Sequence, residues 1–81
     1  MSVLHVSTAA DAIFQSAFAG PRDPRSEAYK NGVRAALSFR IDGKRIPHPY
    51  DPATAEDDAY YAGQAEGHAL WRQYADSGRI S

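Results

Sequence analysis

The side chains able to support acid–base or metal chemistry are few and lie far apart in the sequence. The three histidines are His5, His48 and His68, and no two of them have the close spacing of paired metal ligands. Asp57 and Asp58 are adjacent, so on a helix they point in different directions and do not face each other as an acid–base pair. We therefore predict no catalytic residue, no metal or cofactor site, and a protein that is not an enzyme.

Other signatures of catalysis are also missing from the 81 residues. There is no cysteine, no glycine-rich phosphate loop and no nucleophile elbow. A chain of this length buries only about 60 % of its unfolded surface, which leaves little room for a water-excluding pocket. Because the sequence has no cysteine, no long apolar run and no leader pattern, we expect a cytoplasmic protein with no membrane partner. Because there is little room for a pocket, we expect no small-molecule substrate.

The charged residues are unevenly distributed although the net charge is only −1. Residues 22–45 include seven bases and three acids, whereas residues 51–66 include five acids and no base. This asymmetry fits a surface for phosphate or for a charged protein partner, but it is also typical of solvated helix faces. The candidate partner-binding residues are Arg34, Arg40, Lys44, Arg45, Glu56, Asp57, Asp58 and Glu66.

Apolar periodicity predicts an all-α fold, a small three-helix domain with a proline-rich connector before the last helix. We expect a single domain over residues 1–81, with 1–6 and 76–81 flexible. Thr8 is predicted to cap the first helix, and Asp23 with Pro24 to begin the second. The predicted helices span about 8–19, 24–41 and 54–74.

The end of the second helix allows two interpretations. Asp42-Gly43 is a typical hairpin turn between residues 37–41 and 44–46, although the alternation of a strand is missing. We favour a helix to about Ile41 with Gly43 as its left-handed cap. Three prolines then make residues 46–52 a stiff connector, too long for a helix-turn-helix motif.

Small residues predict that the second and third helices cross closely. We expect them to pack antiparallel through Gly32, Gly63 and Gly67, since glycine in a helix interior costs about 1 kcal/mol and so suggests a packing role. Ala28 and Ala35 extend the strip of small residues around Gly32. The predicted core consists of Ile13, Phe14, Phe18, Tyr29, Val33, Leu37, Tyr60, Leu70 and Trp71.

Three short motifs follow one another over residues 26–72. They are Ala28-Tyr29-x-x-Gly32-x-x-Ala35, then His48-Pro49-Tyr50-Asp51-Pro52, then Tyr60-x-x-Gly63 followed by Glu66-Gly67. Their order and spacing resemble the ribosome modulation factor-like group of small helical proteins. The sequence departs from that group at Tyr60 and Gln64, where the group has tryptophan, and in its longer connector.

The resemblance implies a non-enzymatic protein that docks on a large RNA–protein machine, since the family namesake binds and silences the ribosome. It implies that Arg34, Arg40, Lys44 and Arg45 contact phosphate, with Tyr50 or Trp71 available for stacking on bases. The namesake is strongly basic, whereas this chain is not.

Small size, the missing chemistry and the acidic stretch 51–66 suggest a different class. In these respects the chain is similar to phage-encoded inhibitors, including anti-CRISPR proteins, which occupy the nucleic-acid-binding surface of a host effector complex. Acidic side chains would then pair with effector lysines and arginines. We favour this inhibitor hypothesis, with ribosome or ribosomal-RNA binding as the alternative. Exposure of Phe39 or Tyr61 would indicate an interface.

Overall fold

The computed structural model describes residues 9–20 and 24–76. It contains three helices, α1 (Ala9–Ala19), α2 (Glu27–Asp42) and α3 (Ala55–Tyr74), and no strand within those ranges. The prediction of a small all-α three-helix domain is confirmed. The expected cap at Thr8 and the flexible start 1–6 lie outside the described residues, as do residues 77–81 of the flexible end predicted over 76–81.

Helix α2 begins three residues later than predicted. Its N-cap is Ser26, whose hydroxyl accepts a hydrogen bond from the backbone N–H of Tyr29 at 3.2 Å. Pro24 lies before the helix in irregular backbone. A start at Pro24 would add only exposed residues to the helix, whereas the Ser26 hydroxyl satisfies one of the N–H groups left unpaired in the first turn.

The C-terminal end of α2 decides between the helix and the hairpin. Gly43 has φ 72° and ψ 16°, and its N–H donates to the Phe39 carbonyl at 3.1 Å. The Lys44 N–H donates to the Ser38 carbonyl at 3.4 Å. This is the left-handed glycine cap expected from the sequence, and the hairpin interpretation is wrong.

Helix α3 is capped by Thr54, in agreement with its predicted start at about residue 54. The threonine hydroxyl accepts the Asp57 N–H at 3.1 Å and donates to the Asp51 carbonyl at 2.7 Å. The preceding Ala53 has φ 66°, a left-handed conformation that costs a residue with a Cβ roughly 1–2 kcal/mol. The turn before α3 is therefore strained at one alanine.

Helices α2 and α3 approach until their backbones touch. A Cβ added to Gly32 would overlap the Tyr60 carbonyl oxygen, and one added to Gly63 would overlap the Tyr29 carbonyl oxygen. At Gly67 it would lie 2.7 Å from the Val33 carbonyl oxygen. The predicted glycine crossing is therefore present, because no other residue fits at these positions.

The direction of the crossing is opposite to the one predicted. Residue numbers rise together in the contacts between the two helices: Gly63 lies beside Tyr29, and Gly67 lies beside Val33. Helices α2 and α3 therefore run parallel. The physical reason lies in the connector. Helix α2 is about 24 Å long, and residues 43–54 reach up to about 40 Å when extended, enough to return the chain along α2.

The predicted core residues lie in or against the observed core. Phe14, Val33, Leu37 and Tyr60 are buried. The other predicted members are partly buried and pack against that core. They are Ile13, Phe18, Tyr29, Leu70 and Trp71. Within the small-residue strip of α2, Ala36 rather than Ala35 is fully buried, because it continues the four-residue spacing of Ala28 and Gly32.

Gly63→Ala tests the crossing. Glycine to alanine inside a helix normally stabilises by about 1 kcal/mol, but here the new methyl group meets the Tyr29 carbonyl. We expect a loss of at least about 2 kcal/mol in the free energy of unfolding, measured by urea denaturation. Gly20→Ala is the control, since a Cβ there meets nothing within 4 Å. Equal effects of the two substitutions would contradict the crossing.

Ala53→Gly tests the strained turn. Glycine adopts the left-handed conformation without a Cβ clash, so we expect stabilisation of about 0.5–1 kcal/mol, seen as a melting temperature several degrees higher. Ala62→Gly, at an exposed position inside α3, should instead lower stability by about 1 kcal/mol. A decrease for both variants would show that Ala53 is not strained.

Candidate nucleic-acid interface

A shallow groove between α2 and the returning connector collects most of the basic residues selected from the sequence. Its volume is about 360 Å³. Arg34 lines the groove from α2, and Lys44 and Arg45 line it from the start of the connector. Pro47 and Tyr60 form part of its wall. Three of the four predicted basic residues are therefore neighbours in space, although 11 positions separate the outer two in the sequence.

Hydrogen bonds and ring contacts hold the connector in this position. The buried Tyr60 hydroxyl donates to the Pro47 carbonyl at 2.8 Å, and the Asn31 amide donates to the Tyr50 hydroxyl at 3.1 Å. The rings of Tyr50 and Tyr60 meet edge to face at 5.3 Å. Tyr50, which the resemblance offered for base stacking, therefore helps to anchor the connector.

The three cations of the groove differ in how firmly they are held. The Arg34 guanidinium carbon lies 4.1 Å from the centre of the Phe14 ring, which ties this side chain to α1. Lys44 and Arg45 are exposed, and within the described part of the chain neither makes an ion pair. The groove therefore offers two adjustable positive charges to an anion, while the Arg34 guanidinium is held on the Phe14 ring.

Arg40 is diverted from this groove to α3. Its Nε donates a hydrogen bond to His68 Nδ1 at 3.0 Å, and the Phe39 ring meets the imidazole edge to face at 6.3 Å. Burial, and then the positive charges of Arg40 and Arg72, hold the pKa of His68 below its ordinary value of 6.5. The imidazole must be neutral here, because Nδ1 can accept the hydrogen bond from Arg40 Nε–H only when it carries no proton.

The four acidic candidates do not form one continuous face. Glu56 and Asp58 are exposed in the first turn of α3, while the half-buried Asp57 points to another side of the helix. Glu66 lies about 15 Å farther along α3 and accepts a hydrogen bond from the Tyr29 hydroxyl at 2.5 Å. The structure therefore separates Glu66 from the other acids.

Two large apolar side chains are exposed, as an interface would require. Phe39 is 46 % exposed and Tyr61 is 50 % exposed. Tyr61 and His68 are seven residues apart on α3, so they share the helix face that Phe39 contacts. Trp71, the second residue offered for stacking, instead packs against the core and lies 6.0 Å from the Tyr74 ring.

Sequence reasoning missed Asn31, which lines the groove and positions Tyr50. A signal for it was present, since Asn31, Arg34 and Ser38 recur at helical spacing and all three line the groove.

Among residues 9–20 and 24–76, no group of three or more potential metal ligands occurs, and no helix is long and apolar enough to cross a membrane.

Comparison with known proteins adds no relative. No family model matches the chain, and no curated protein or solved structure matches it either. The resemblance to the ribosome modulation factor-like group therefore stays a resemblance carried by the motif residues.

The lowered pKa of His68 predicts a pH dependence of stability. As the pH falls through about 6.5 the unfolded chain takes up the proton more readily than the folded one, so stability is full above that pH and declines below it. We expect the urea midpoint to fall between about pH 7.5 and 5.5. His68→Gln can still accept the Arg40 hydrogen bond and should flatten this profile. An unchanged profile in that variant would contradict the assignment.

Proposed function

We propose that this protein is a non-enzymatic binding module that docks on an RNA–protein complex and contacts RNA phosphates through the groove between α2 and the connector. The observation that carries the proposal is the convergence of Arg34, Lys44 and Arg45 on one groove. Phosphate groups are the anions that such a cluster fits best in a nucleoprotein partner.

Local charge outweighs net charge in this proposal. The chain carries −1 overall, which gives no long-range attraction to RNA. None of the described residues that line the groove is acidic, although Asp42 is exposed two residues before Lys44. Contacts of this kind give binding that weakens steeply with salt.

The exposed aromatic residues suit the same partner. Phe39 of α2 contacts His68 of α3 next to Arg40, and Tyr61 lies on the same side of α3 as His68. Aromatic residues and arginine are the residues most often found at the centre of interfaces with proteins, and aromatic rings also stack on unpaired bases. This face could therefore contact the protein or the RNA of the complex while the groove holds phosphate.

The residues of the motifs that resemble the ribosome modulation factor-like group hold the fold together and supply none of the three cations of the proposed RNA contact. Tyr29, Gly32, Gly63 and Gly67 form the helix crossing, and Tyr50 holds the connector. Ribosome or ribosomal-RNA binding, the alternative named from the resemblance, is thus supported by the basic groove and not by the motif itself. The groove makes it our first proposal.

The inhibitor hypothesis is the second candidate. Its supporting observation is that Glu56 and Asp58 are exposed at the start of α3, and neither makes an ion pair within the described residues. A phage-type inhibitor of the anti-CRISPR kind would present these acids to the lysines and arginines of a host effector complex. The helix dipole also favours acids at this position, so their presence has a structural reason as well.

Affinity capture tests the proposed function. The tagged protein is used to capture partners from a lysate of its source cells with and without RNase, and the recovered RNA is then bound to purified protein at several salt concentrations. We expect Lys44→Gln/Arg45→Gln to weaken RNA binding at least about tenfold and to reduce the salt slope by about 1.4, the loss of two single-strand phosphate contacts. Lys44→Arg/Arg45→Lys, which keeps both positive charges, is the control and should leave the salt slope unchanged.

The same experiment separates the two candidates. Retention of a protein complex after RNase, lost with Glu56→Lys/Asp58→Lys and unaffected by Lys44→Gln/Arg45→Gln, would favour the inhibitor and contradict RNA binding. Loss of capture with RNase, together with the salt dependence above, would support the groove.

A further inference from the structure

An exposed aromatic ring stands at the end of the basic groove. Phe39 follows four residues after Ala35, which lines the groove, so the two side chains lie one turn apart on the same face of α2. Ser38, the residue before Phe39, also lines the groove. Phe39 is 46 % exposed. An extended ligand that leaves the groove past the last turn of α2 therefore passes this ring.

The Phe39 ring is supported from α3 and keeps a face open. Its centroid lies 6.3 Å from that of the His68 imidazole, and the two ring planes are nearly perpendicular at 87°. In such a pair the edge of one ring meets one face of the other, so the contact leaves at least one face of Phe39 uncovered. Arg40 Nε donates to His68 Nδ1 at 3.0 Å and holds the imidazole in place. The exposed ring therefore has a fixed position.

The end of α2 brings two cations to the same turn as this ring. The Lys44 N–H donates to the Ser38 carbonyl at 3.4 Å, so the chain turns back beside the residue that precedes Phe39. Lys44 and Arg45 both line the groove. From Phe39 to Arg45 the chain has three bases and one acid, Asp42. Positive charge therefore predominates around the ring.

We propose that Phe39 stacks on an unpaired base of the RNA whose phosphate is bound by Lys44 and Arg45. This inference rests on the proposed function, and it adds that the RNA is single-stranded where it crosses the end of α2. Bases in a duplex have both faces covered by their neighbours, whereas an unpaired base can turn one face to an aromatic side chain.

The ring and the cations recognise different parts of a nucleotide. Every base has a flat face, and a phenyl ring forms no hydrogen bonds with base edges, so stacking favours unpaired nucleotides without selecting a sequence. The cations bind phosphate in single-stranded and duplex RNA alike. Phe39 is therefore the residue whose removal affects a single strand and spares a duplex.

The test compares three RNA probes on the full chain at one low salt concentration. They are a single strand of about twelve nucleotides of mixed sequence, the same strand paired with its complement, and an abasic strand of equal length. The abasic strand keeps the phosphates and lacks the bases. Binding is followed by the fluorescence anisotropy of a dye on each probe.

The variants separate the ring from its apolar bulk. Phe39→Leu removes the ring and keeps an apolar side chain that suits a helix, and Phe39→Trp keeps a stacking surface. Tyr61→Leu is the matched control, since Tyr61 is the other large exposed aromatic residue of the described chain. Melting temperatures confirm that the variants fold.

We expect Phe39→Leu to weaken binding of the single strand at least about fivefold and to leave binding of the duplex and the abasic strand unchanged. Phe39→Trp should bind the single strand as tightly as the wild-type chain does. Tyr61→Leu should change none of the three affinities.

Three results would overturn the stacking site. They are an unchanged affinity of Phe39→Leu for the single strand, an equal loss for the abasic strand, and an equal loss with Tyr61→Leu. The proposed function would survive each of them as long as Lys44→Gln/Arg45→Gln weakens binding of all three probes. If that double variant weakens none of them, the proposed function is wrong, and this inference fails with it.

Discussion

Contact between the backbones of α2 and α3 is the constraint on which the rest of the fold depends. Gly32, Gly63 and Gly67 remove the side chains that would hold the two helices apart, and carbonyl groups of Tyr29, Val33 and Tyr60 occupy that space. So close an approach leaves little freedom to shift one helix along the other, because a step of one residue would bring a Cβ against a carbonyl oxygen. Helix α1 then completes the core by placing Phe14 against Val33 and Leu37.

Parallel packing of these two helices determines where the basic residues lie. The chain leaves α2 at Gly43 and must travel back along the helix before α3 can begin at Ala55. Lys44 and Arg45 therefore return past the outer face of α2 and meet Arg34 there. An antiparallel pair joined by a short turn would leave these residues at the end of the domain and would form no such groove. The candidate interface is thus a consequence of chain direction.

Much of the fold was predictable because local signals dominate it. Apolar spacing located the helices, Gly43 fixed the end of α2, and Thr54 fixed the start of α3. Ser26 was missed because Asp23-Pro24 also has the residue types of a helix start, and the choice depends on which cap the chain can use. The parallel arrangement of α2 and α3 was not predicted, because a strip of small residues allows close packing in either direction. The length of the connector, which can return the chain along α2, was the signal for it.

The candidate site was predictable only in part. Charge clustering identified Arg34, Lys44 and Arg45, but it also included Arg40, which binds His68 across the helix pair. Pairing of that kind depends on the register between α2 and α3, which composition does not encode. A nitroxide attached to Glu27→Cys tests the central claim directly, since the chain has no other cysteine. Parallel packing predicts broadening of amide signals from residues 55–59 and none from residues 70–74, because Glu27 and Glu56 line the same depression. Broadening at residues 70–74 instead would contradict the parallel arrangement and the groove that follows from it.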